Sequence, residues 1–155
     1  MLVYLVRHAH AGQRLEGHSD LYRPLSEKGE ARAQALVALF DGVPIARILA
    51  STATRCVQTV APLAADRALD VEEYEVLWED AFAAESLTFL EAQLAAEAIV
   101  ACSHGNIIPE MVDLLARQGV PVIGHGCEKG SVWVLTHEGG AWAEARRIKK
   151  RAERL

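Results

Sequence analysis

Short runs that are apolar at nearly every position recur along the chain and constrain its fold more than any other feature. They cover residues 2–6, 45–50, 98–102 and 131–136, with a weaker one at 142–146. A strand with one exposed face alternates polar and apolar side chains, whereas a strand covered on both faces is apolar throughout. The runs therefore predict a central sheet with both faces covered.

Helical patterns lie between the predicted strands. The first begins at Ser26, which can cap the free N–H groups of a helix, and Gly42 and Pro44 end it. The others cover approximately residues 53–66, 83–96 and 107–118. Strands that alternate with helices indicate the α/β class. We therefore predict a three-layer sandwich, in which a mostly parallel sheet has helices on both faces.

The chain has the size and composition of one ordinary domain, which we expect to span residues 1–155. It has 155 residues, of which 51% are hydrophobic and 24% charged, enough for a substantial core. No apolar run approaches the roughly 20 residues that a membrane span needs. The apolar start meets Arg7 with no basic region before it, so no signal peptide is expected.

Charge and cysteine content limit the partners and the compartment. The net charge of −5 argues against a nucleic-acid partner. The three cysteines are an odd number without metal-ligand spacing, which predicts reduced thiols in a cytoplasmic protein. The basic segment 146–154 is expected to be a solvated chain end.

Residues that suit a phosphate group follow three of the predicted strands. Arg7 and His8 follow the first strand, Arg55 lies in the first turn of the helix after the second, and His104 follows the third. Ligands of parallel α/β sheets bind beyond the carboxyl ends of the strands. We therefore expect two arginines, two histidines and two helix N-termini to converge on one pocket.

Each of these groups has a physical reason to bind or transfer a phosphoryl group. Arginine offers a planar fork of donors, and helix N-termini offer free N–H groups with a partial positive charge. Gly105 allows a close approach to the backbone. A neutral histidine held in one tautomer can be a covalent nucleophile. Such a cationic pocket suits phosphoryl transfer and would be a poor site for a metal ion.

Four segments resemble motifs of the histidine phosphatase superfamily, which has the phosphoglycerate-mutase-like fold. They are residues 5–9 (LVRHA), similar to the RHG signature; 25–29 (LSEKG), similar to L-S/T-x-x-G; 51–59 (STATRCVQT), similar to S-x-x-x-R-x-x-x-T; and 103–105 (SHG), similar to the second-histidine motif. They occur in the family's order, and the resemblance spans approximately residues 2–135. Ala9 replaces the usual glycine, which is compatible with the short branch that resembles phosphohistidine phosphatases.

The resemblance implies a phosphatase that uses neither a metal nor another cofactor. His8 would be the nucleophile and would become phosphohistidine. Arg7, Arg55 and His104 would bind the phosphoryl group and stabilise its transition state. Gly105 and Asn106 would contribute to substrate binding, and His10 would line the rim of the pocket.

A carboxylate in an L-x-E segment usually protonates the leaving group in this family. Leu77-Trp78-Glu79 matches that segment, so Glu79 is the candidate acid, with Asp80 and Glu85 as rivals. Members of the short branch often lack such an acid. If Glu79 lies outside the pocket, a substrate with a good leaving group, such as phosphohistidine, is favoured.

Several alternatives stay open at this stage. His8-Ala9-His10 could be an H-x-H metal pair, although the barrel hydrolases that use one typically need about 250 residues. A non-catalytic phospholigand-binding module on the same fold and a phosphoglycerate-mutase-type phosphotransferase are two others. The short stretch 60–102 leaves little room for a cap over the site, which favours hydrolysis. The substrate could be a small phosphomonoester or a phosphohistidine protein, and the protein a monomer or a homodimer.

Overall fold

The computed structural model describes residues 1–148, so the greater part of the basic C-terminal segment lies outside the described residues. The described part forms one seven-stranded sheet with four α-helices. The strands are β1 (Leu2–Arg7), β2 (Ile45–Ala50), β3 (Val71–Glu73), β4 (Ala98–Ser103), β5 (Val122–Ile123), β6 (Val132–Glu138) and β7 (Ala141–Arg147), and the helices are α1 (Glu27–Leu39), α2 (Thr54–Asp66), α3 (Ala83–Ala92) and α4 (Ile107–Arg117). The predicted α/β class is confirmed.

The sheet is mostly parallel, as predicted, and its strand order is β3-β2-β4-β1-β6-β7-β5. The pairs β1–β4, β2–β4, β2–β3 and β5–β7 are parallel, whereas β1–β6 and β6–β7 are antiparallel. Strands β2, β4 and β1 are neighbours and run in the same direction. Their carboxyl ends therefore lie side by side at one edge of the sheet.

Helices cover both faces of the sheet, which explains why the central strands are apolar throughout. Val3 and Leu5 of β1 belong to a core cluster with α3 and α4. Tyr4 and Val6, which point the other way, belong to a second cluster with α1 and α2. All four are almost fully buried. Burial of such a side chain stabilises the fold by about 1.5–3 kcal/mol, so a polar residue at these positions would cost much of the stability of the domain.

The start of α1 is tied to the segment that follows β1. Ser26 caps the helix as predicted, because its Oγ accepts a hydrogen bond from the Gly29 N–H at 3.2 Å. The Ser26 N–H also donates to the His10 carbonyl oxygen at 2.9 Å. A Cβ atom at Gly29 would lie 2.0 Å from that oxygen, so only glycine allows this approach. The contact fixes the path of the chain just beyond His8.

Three predictions about the elements are wrong in detail. The third helix was expected to reach residue 96 but ends at Ala92. Leu94 and Ala95 pack against the core as the chain turns toward β4, so their apolar character does not require helical backbone. The other two concern β3 and β5, which were not predicted. They have three and two residues and lie at the sheet edges, where partial exposure removes the apolar run that reveals a buried strand.

Candidate active site

The carboxyl ends of three adjacent strands bring the predicted site residues together. His8 follows β1, His104 follows β4, and Arg55 lies in the first turn of α2 after β2. The His8 N–H donates to the Ser103 carbonyl oxygen at 3.0 Å, which joins the ends of β1 and β4. The ring centroids of His8 and His104 are 5.4 Å apart. We call His8, Arg55 and His104 the strand-end cluster.

The ring of His8 is held in one tautomer. Its Nδ1 lies 2.8 Å from the Ala9 carbonyl oxygen, which can only accept, so Nδ1 carries the hydrogen. Nε2 then has a free lone pair, toward which Arg55 Nε donates at 3.4 Å. Burial, with a further contribution from the charges of Arg55 and Arg7, lowers the pKa of His8 to about 4. His8 is therefore neutral at pH 7 and presents a nucleophilic nitrogen to a cationic pocket.

His104 is also buried and neutral. Its Nε2 lies 2.8 Å from Ser51 Oγ, and its Nδ1 lies 3.3 Å from Arg55 Nη2. Because the guanidinium can only donate, Nδ1 accepts from Arg55 and Nε2 donates to Ser51. Burial, followed by the charge of Arg55, lowers the pKa of His104 to about 3. The tautomers of both rings are thus set by a carbonyl or by Arg55.

Arg55 is almost fully buried, with a side-chain exposure of 1%, and two carboxylates balance its charge. Its Nη2 lies 3.2 Å from Asp20 Oδ2 and 3.3 Å from Glu79 Oε2. Its Nη1 donates to the Asp20 carbonyl oxygen at 2.8 Å, and the guanidinium lies 5.6 Å from the centre of the Trp78 ring. A buried cation without partners would be strongly destabilising, so these contacts hold Arg55 in place.

Arg7 reaches the same edge of the sheet and packs against the start of α4. Its Nη1 donates to the Cys127 carbonyl oxygen at 2.6 Å. A Cβ atom at Gly105 would lie 2.4 Å from Arg7 Cζ, so the group that needs the missing side chain at Gly105 is the Arg7 guanidinium. Arg7 Nε is buried and has no hydrogen-bond partner among the described residues. A buried unpaired donor beside a cationic cluster is suited to an anionic ligand.

Among the three carboxylates named from the sequence, Glu79 is the one that the structure places at the cluster. Besides Arg55, it approaches His104 Nδ1 at 3.9 Å. Asp80 instead accepts from Trp78 Nε1 at 3.2 Å, and Glu85 is exposed in the first turn of α3. Glu79 keeps an exposed side-chain fraction of 24%, so solvent also reaches it.

Asn106 supports the segment that carries Glu79. Its Nδ2 donates to the Glu79 carbonyl oxygen at 2.7 Å. Ser103 Oγ donates to the Leu77 carbonyl oxygen at 2.8 Å, two residues earlier in the same segment. The start of α4 therefore holds the backbone of residues 77–79 against the strand ends.

Asp20 and Arg23 are site residues that the sequence reasoning missed. Arg23 Nε donates to Asp20 Oδ1 at 2.7 Å, and this hydrogen bond, with the nearby charge of Arg55, lowers the pKa of Asp20 despite partial burial. Both lie in the loop between β1 and α1, at the carboxyl edge of the sheet. That position was the one available signal, because loops at this edge carry function. No periodic pattern marks either residue.

His10 lies on the α1 side of the loop. Its Nδ1 is 2.7 Å from Ser26 Oγ, and its side chain is exposed. It lines a second cavity, of about 440 Å³, together with Lys28, Arg32, Glu128 and Lys129. The structure thus places His10 at a basic surface recess beside α1, whereas the hydrogen-bonded cluster centres on Arg55.

The structure was also searched for metal and membrane sites. Within residues 1–148, no group of three or more histidine, cysteine, aspartate or glutamate side chains is arranged to hold a metal ion. No helix in that part of the chain has the length and apolar character needed to cross a bilayer.

Comparisons with known proteins agree with the site geometry. A sequence profile of the histidine phosphatase superfamily, branch 1, matches residues 3–95. An 8-oxo-(d)GTP phosphatase from Mycolicibacterium smegmatis is 33% identical over 144 residues, which are 89% of this chain and 45% of that protein. The chain therefore spans less than half the length of this curated relative.

Two solved structures have the same fold over most of both chains. One, from Nakamurella multipartitia, is assigned to the SixA phosphohistidine phosphatases; it is 26% identical, covers 97% of this chain and 96% of its own, and has a TM-score of 0.75. The other, from Agrobacterium tumefaciens and with the same assignment, is 25% identical, covers 86% of this chain and 90% of its own, and has a TM-score of 0.69.

Proposed function

The chain belongs to the histidine phosphatase superfamily, branch 1, and from this membership and its site geometry we propose that it is a metal-independent phosphatase that acts through a phosphohistidine on His8. The observation that carries the proposal is the tautomer of His8. With Nδ1 hydrogen-bonded to the Ala9 carbonyl, the lone pair of Nε2 faces the Arg55 guanidinium. A phosphoryl group bound to Arg55 would lie within reach of that lone pair.

Binding relies on the cationic groups around His8. Arg55 and the unpaired Nε of Arg7 donate to phosphoryl oxygens, together with the free N–H groups at the starts of α2 and α4. The negative charge of the phosphoryl group favours a protonated His104, because an opposite charge stabilises a cation. Protonated Nδ1 of His104 can then donate to a phosphoryl oxygen.

The reaction has two steps. In the first, His8 Nε2 forms a bond to phosphorus while the bond to the leaving-group oxygen breaks, and that oxygen takes a proton from Glu79. In the second, water attacks phosphorus, the bond to Nε2 breaks, and a proton of the water passes to the Glu79 carboxylate. The products are the alcohol and inorganic phosphate, and His8 returns to its neutral form.

The position of Glu79 bears on the class of substrate. An alkoxide is a poor leaving group and needs a proton donor, whereas a phosphorylated imidazole needs little help. Because Glu79 lies 3.3 Å from Arg55, the site can serve phosphomonoesters of alcohols. The SixA-assigned relatives suggest phosphohistidine proteins as the second class, so we propose a small phosphomonoester first and a phosphohistidine protein second.

The proposal also covers surroundings and assembly. All three cysteines are free, which fits a reducing, cytoplasmic setting. A monomer or a homodimer can carry this site, because every group named in it comes from one chain.

The experiment is to trap the intermediate. Enzyme mixed rapidly with ³²P-labelled substrate should carry label that is stable to base and labile to acid, as expected of phosphohistidine. Vanadate, which resembles the transferring phosphoryl group, should inhibit turnover, and EDTA should not. Loss of activity on chelation that added zinc restores, or base-labile label, would overturn the proposal.

A further inference from the structure

The loop between β1 and α1, residues 12–24, forms a closed and cross-linked unit. Its ends meet, because Ala11 and Leu25 form an isolated antiparallel bridge and the Gly12 N–H donates to the Pro24 carbonyl oxygen at 3.2 Å. Arg23 crosses its interior and donates to the Gly12 carbonyl oxygen at 2.8 Å and to Asp20 Oδ1 at 2.7 Å. Compact loops of this kind have preformed shapes and are frequently functional.

The loop encloses a cavity that shares a wall with the strand-end cluster. The cavity has a volume of about 570 Å³, within the range of small-molecule sites. Asp20 and Arg23 line it, and Asp20 contacts Arg55 through both its carboxylate and its carbonyl oxygen. The path from His8 to the cavity therefore runs through Arg55 and Asp20. A group in the cavity can belong to a substrate whose phosphoryl group lies at His8.

The remaining wall of the cavity is rich in rings and apolar groups. Leu15, His18, Tyr22 and Pro24 line it. Tyr22 is 71% exposed and Leu15 65% exposed, so two of the five exposed large apolar side chains in the described part of the chain face this one cavity. An exposed aromatic ring beside a preformed recess is a stacking platform for another planar ring.

We infer that this cavity is the leaving-group subsite, and that it takes a planar heterocyclic base, so that the substrate class is nucleotides. The inference rests on the proposed function of the strand-end cluster. It favours a nucleotide over phosphohistidine because the imidazole of phosphohistidine is bonded directly to phosphorus and must lie at His8. A ring in the cavity lies beyond Arg55 and Asp20, and it therefore needs a spacer, which ribose provides.

The test uses two substrates with the same leaving-group chemistry, adenosine 5′-monophosphate and ribose 5-phosphate. Both are phosphate esters of the ribose 5′-oxygen and differ in the base. We expect wild-type kcat/KM to be about 10-fold higher for the nucleotide, the order expected for one stacked base. Tyr22→Ala should bring the ratio of the two kcat/KM values close to one, and Tyr22→Phe, which keeps the ring, should preserve it. Ile123→Ala, which removes an exposed apolar side chain at the far sheet edge, is the matched control and should leave the ratio unchanged.

A second measurement needs no turnover of either ester. Adenosine should inhibit hydrolysis of p-nitrophenyl phosphate at concentrations about 10-fold lower than ribose does, and Tyr22→Ala should remove that difference. Equal inhibition by adenosine and ribose, or a wild-type ratio of kcat/KM near one, would overturn the subsite while leaving the phosphatase proposal intact. A higher kcat/KM for a phosphohistidine peptide than for the nucleotide would also overturn it. Failure to hydrolyse p-nitrophenyl phosphate at all would instead remove the proposed function on which the subsite rests.

Discussion

The strand-end cluster and the segments around it differ in how they are held. His8, Arg55 and His104 are at most 6% exposed, and the backbone at the ends of β1 and β4 or the first turn of α2 positions them. The two carboxylates that face Arg55 come from connecting segments, Asp20 from the β1–α1 loop and Glu79 from the stretch before α3. We call Asp20 and Glu79 the carboxylate rim.

This difference suggests a division of labour. Nucleophilic attack needs a fixed tautomer and low dielectric, which buried strand ends provide. Proton transfer to different leaving groups needs a carboxyl group that solvent and substrate can reach, which loop segments provide. Substitutions in the strand-end cluster should therefore abolish all turnover, whereas substitutions in the carboxylate rim should depend on the substrate.

The largest effect is expected for His8→Ala. Removal of the nucleophile should lower kcat by roughly 10⁴-fold or more on every substrate, because no other described side chain presents a lone pair at that point. His125→Ala, at an exposed loop position, is the matched control and should retain wild-type kcat. Circular dichroism should show that both variants fold. A His8→Ala kcat within a few-fold of wild type would end the covalent mechanism.

Glu79→Gln should have a large but selective effect. Hydrolysis of alkyl phosphates should slow by roughly 100- to 10,000-fold, and that of p-nitrophenyl phosphate far less, because nitrophenolate leaves without a proton. Steady-state kinetics on both substrates for Glu79→Gln, Asp20→Asn, Asp80→Asn and Glu85→Gln would assign the acid. Equal slowing of the two substrates by Glu79→Gln would remove Glu79 from proton transfer, and a selective effect at another carboxylate would reassign the role.

Asn106→Ala should produce a smaller version of the Glu79 effect. The substitution removes the hydrogen bond that holds the Glu79 carbonyl and leaves the carboxylate present. We expect alkyl phosphate hydrolysis to fall by about 10-fold, since misplacing a catalytic group costs up to about 100-fold. In Glu79→Gln, the further change Asn106→Ala should have little additional effect. Additive effects in the double variant would show that Asn106 acts independently, for example by direct contact with substrate.

The smallest effect concerns the pH dependence of stability. The pKa values of His8 and His104 are lowered to about 4 and about 3 in the folded protein, against about 6.5 when unfolded. The unfolded chain therefore binds more protons, and the free energy of unfolding should fall as pH drops from about 6.5 toward 4. His8→Asn should reduce that slope by up to about 1.4 kcal/mol per pH unit. Urea titrations at several pH values measure it, and an unchanged slope would mean that His8 is not buried in its neutral form.

The sequence predicted the cluster more completely than the rim. Arg7, His8, Arg55 and His104 each follow a recognisable strand, and parallel strands bring their carboxyl ends to one edge, so local pattern implied their proximity. The structure brings these four residues together, and Glu79 joins them. Their catalytic roles remain predictions, as does the single domain over residues 1–155.

Other features depended on contacts between segments that are distant in sequence. Gly105 was expected to admit a ligand to the backbone, and the group that lies against it is the Arg7 guanidinium. Asn106 was assigned to substrate binding, and its side chain holds the segment of Glu79. His10 lies beside α1 at a separate recess. No periodicity in the chain encodes such pairings.

By itself, the sequence determined the α/β class, the covered sheet and the strand ends at which chemistry is placed, because apolar periodicity and helix caps act within a few residues. Only the tertiary structure decided which carboxylates face Arg55, which tautomers His8 and His104 adopt, and that the β1–α1 loop encloses a cavity. Those outcomes depend on hydrogen bonds and charges that meet across 24 to 50 residues of chain, as between Arg55 and Glu79 or Ala9 and Thr59. Folding alone brings such groups within a few ångströms of each other.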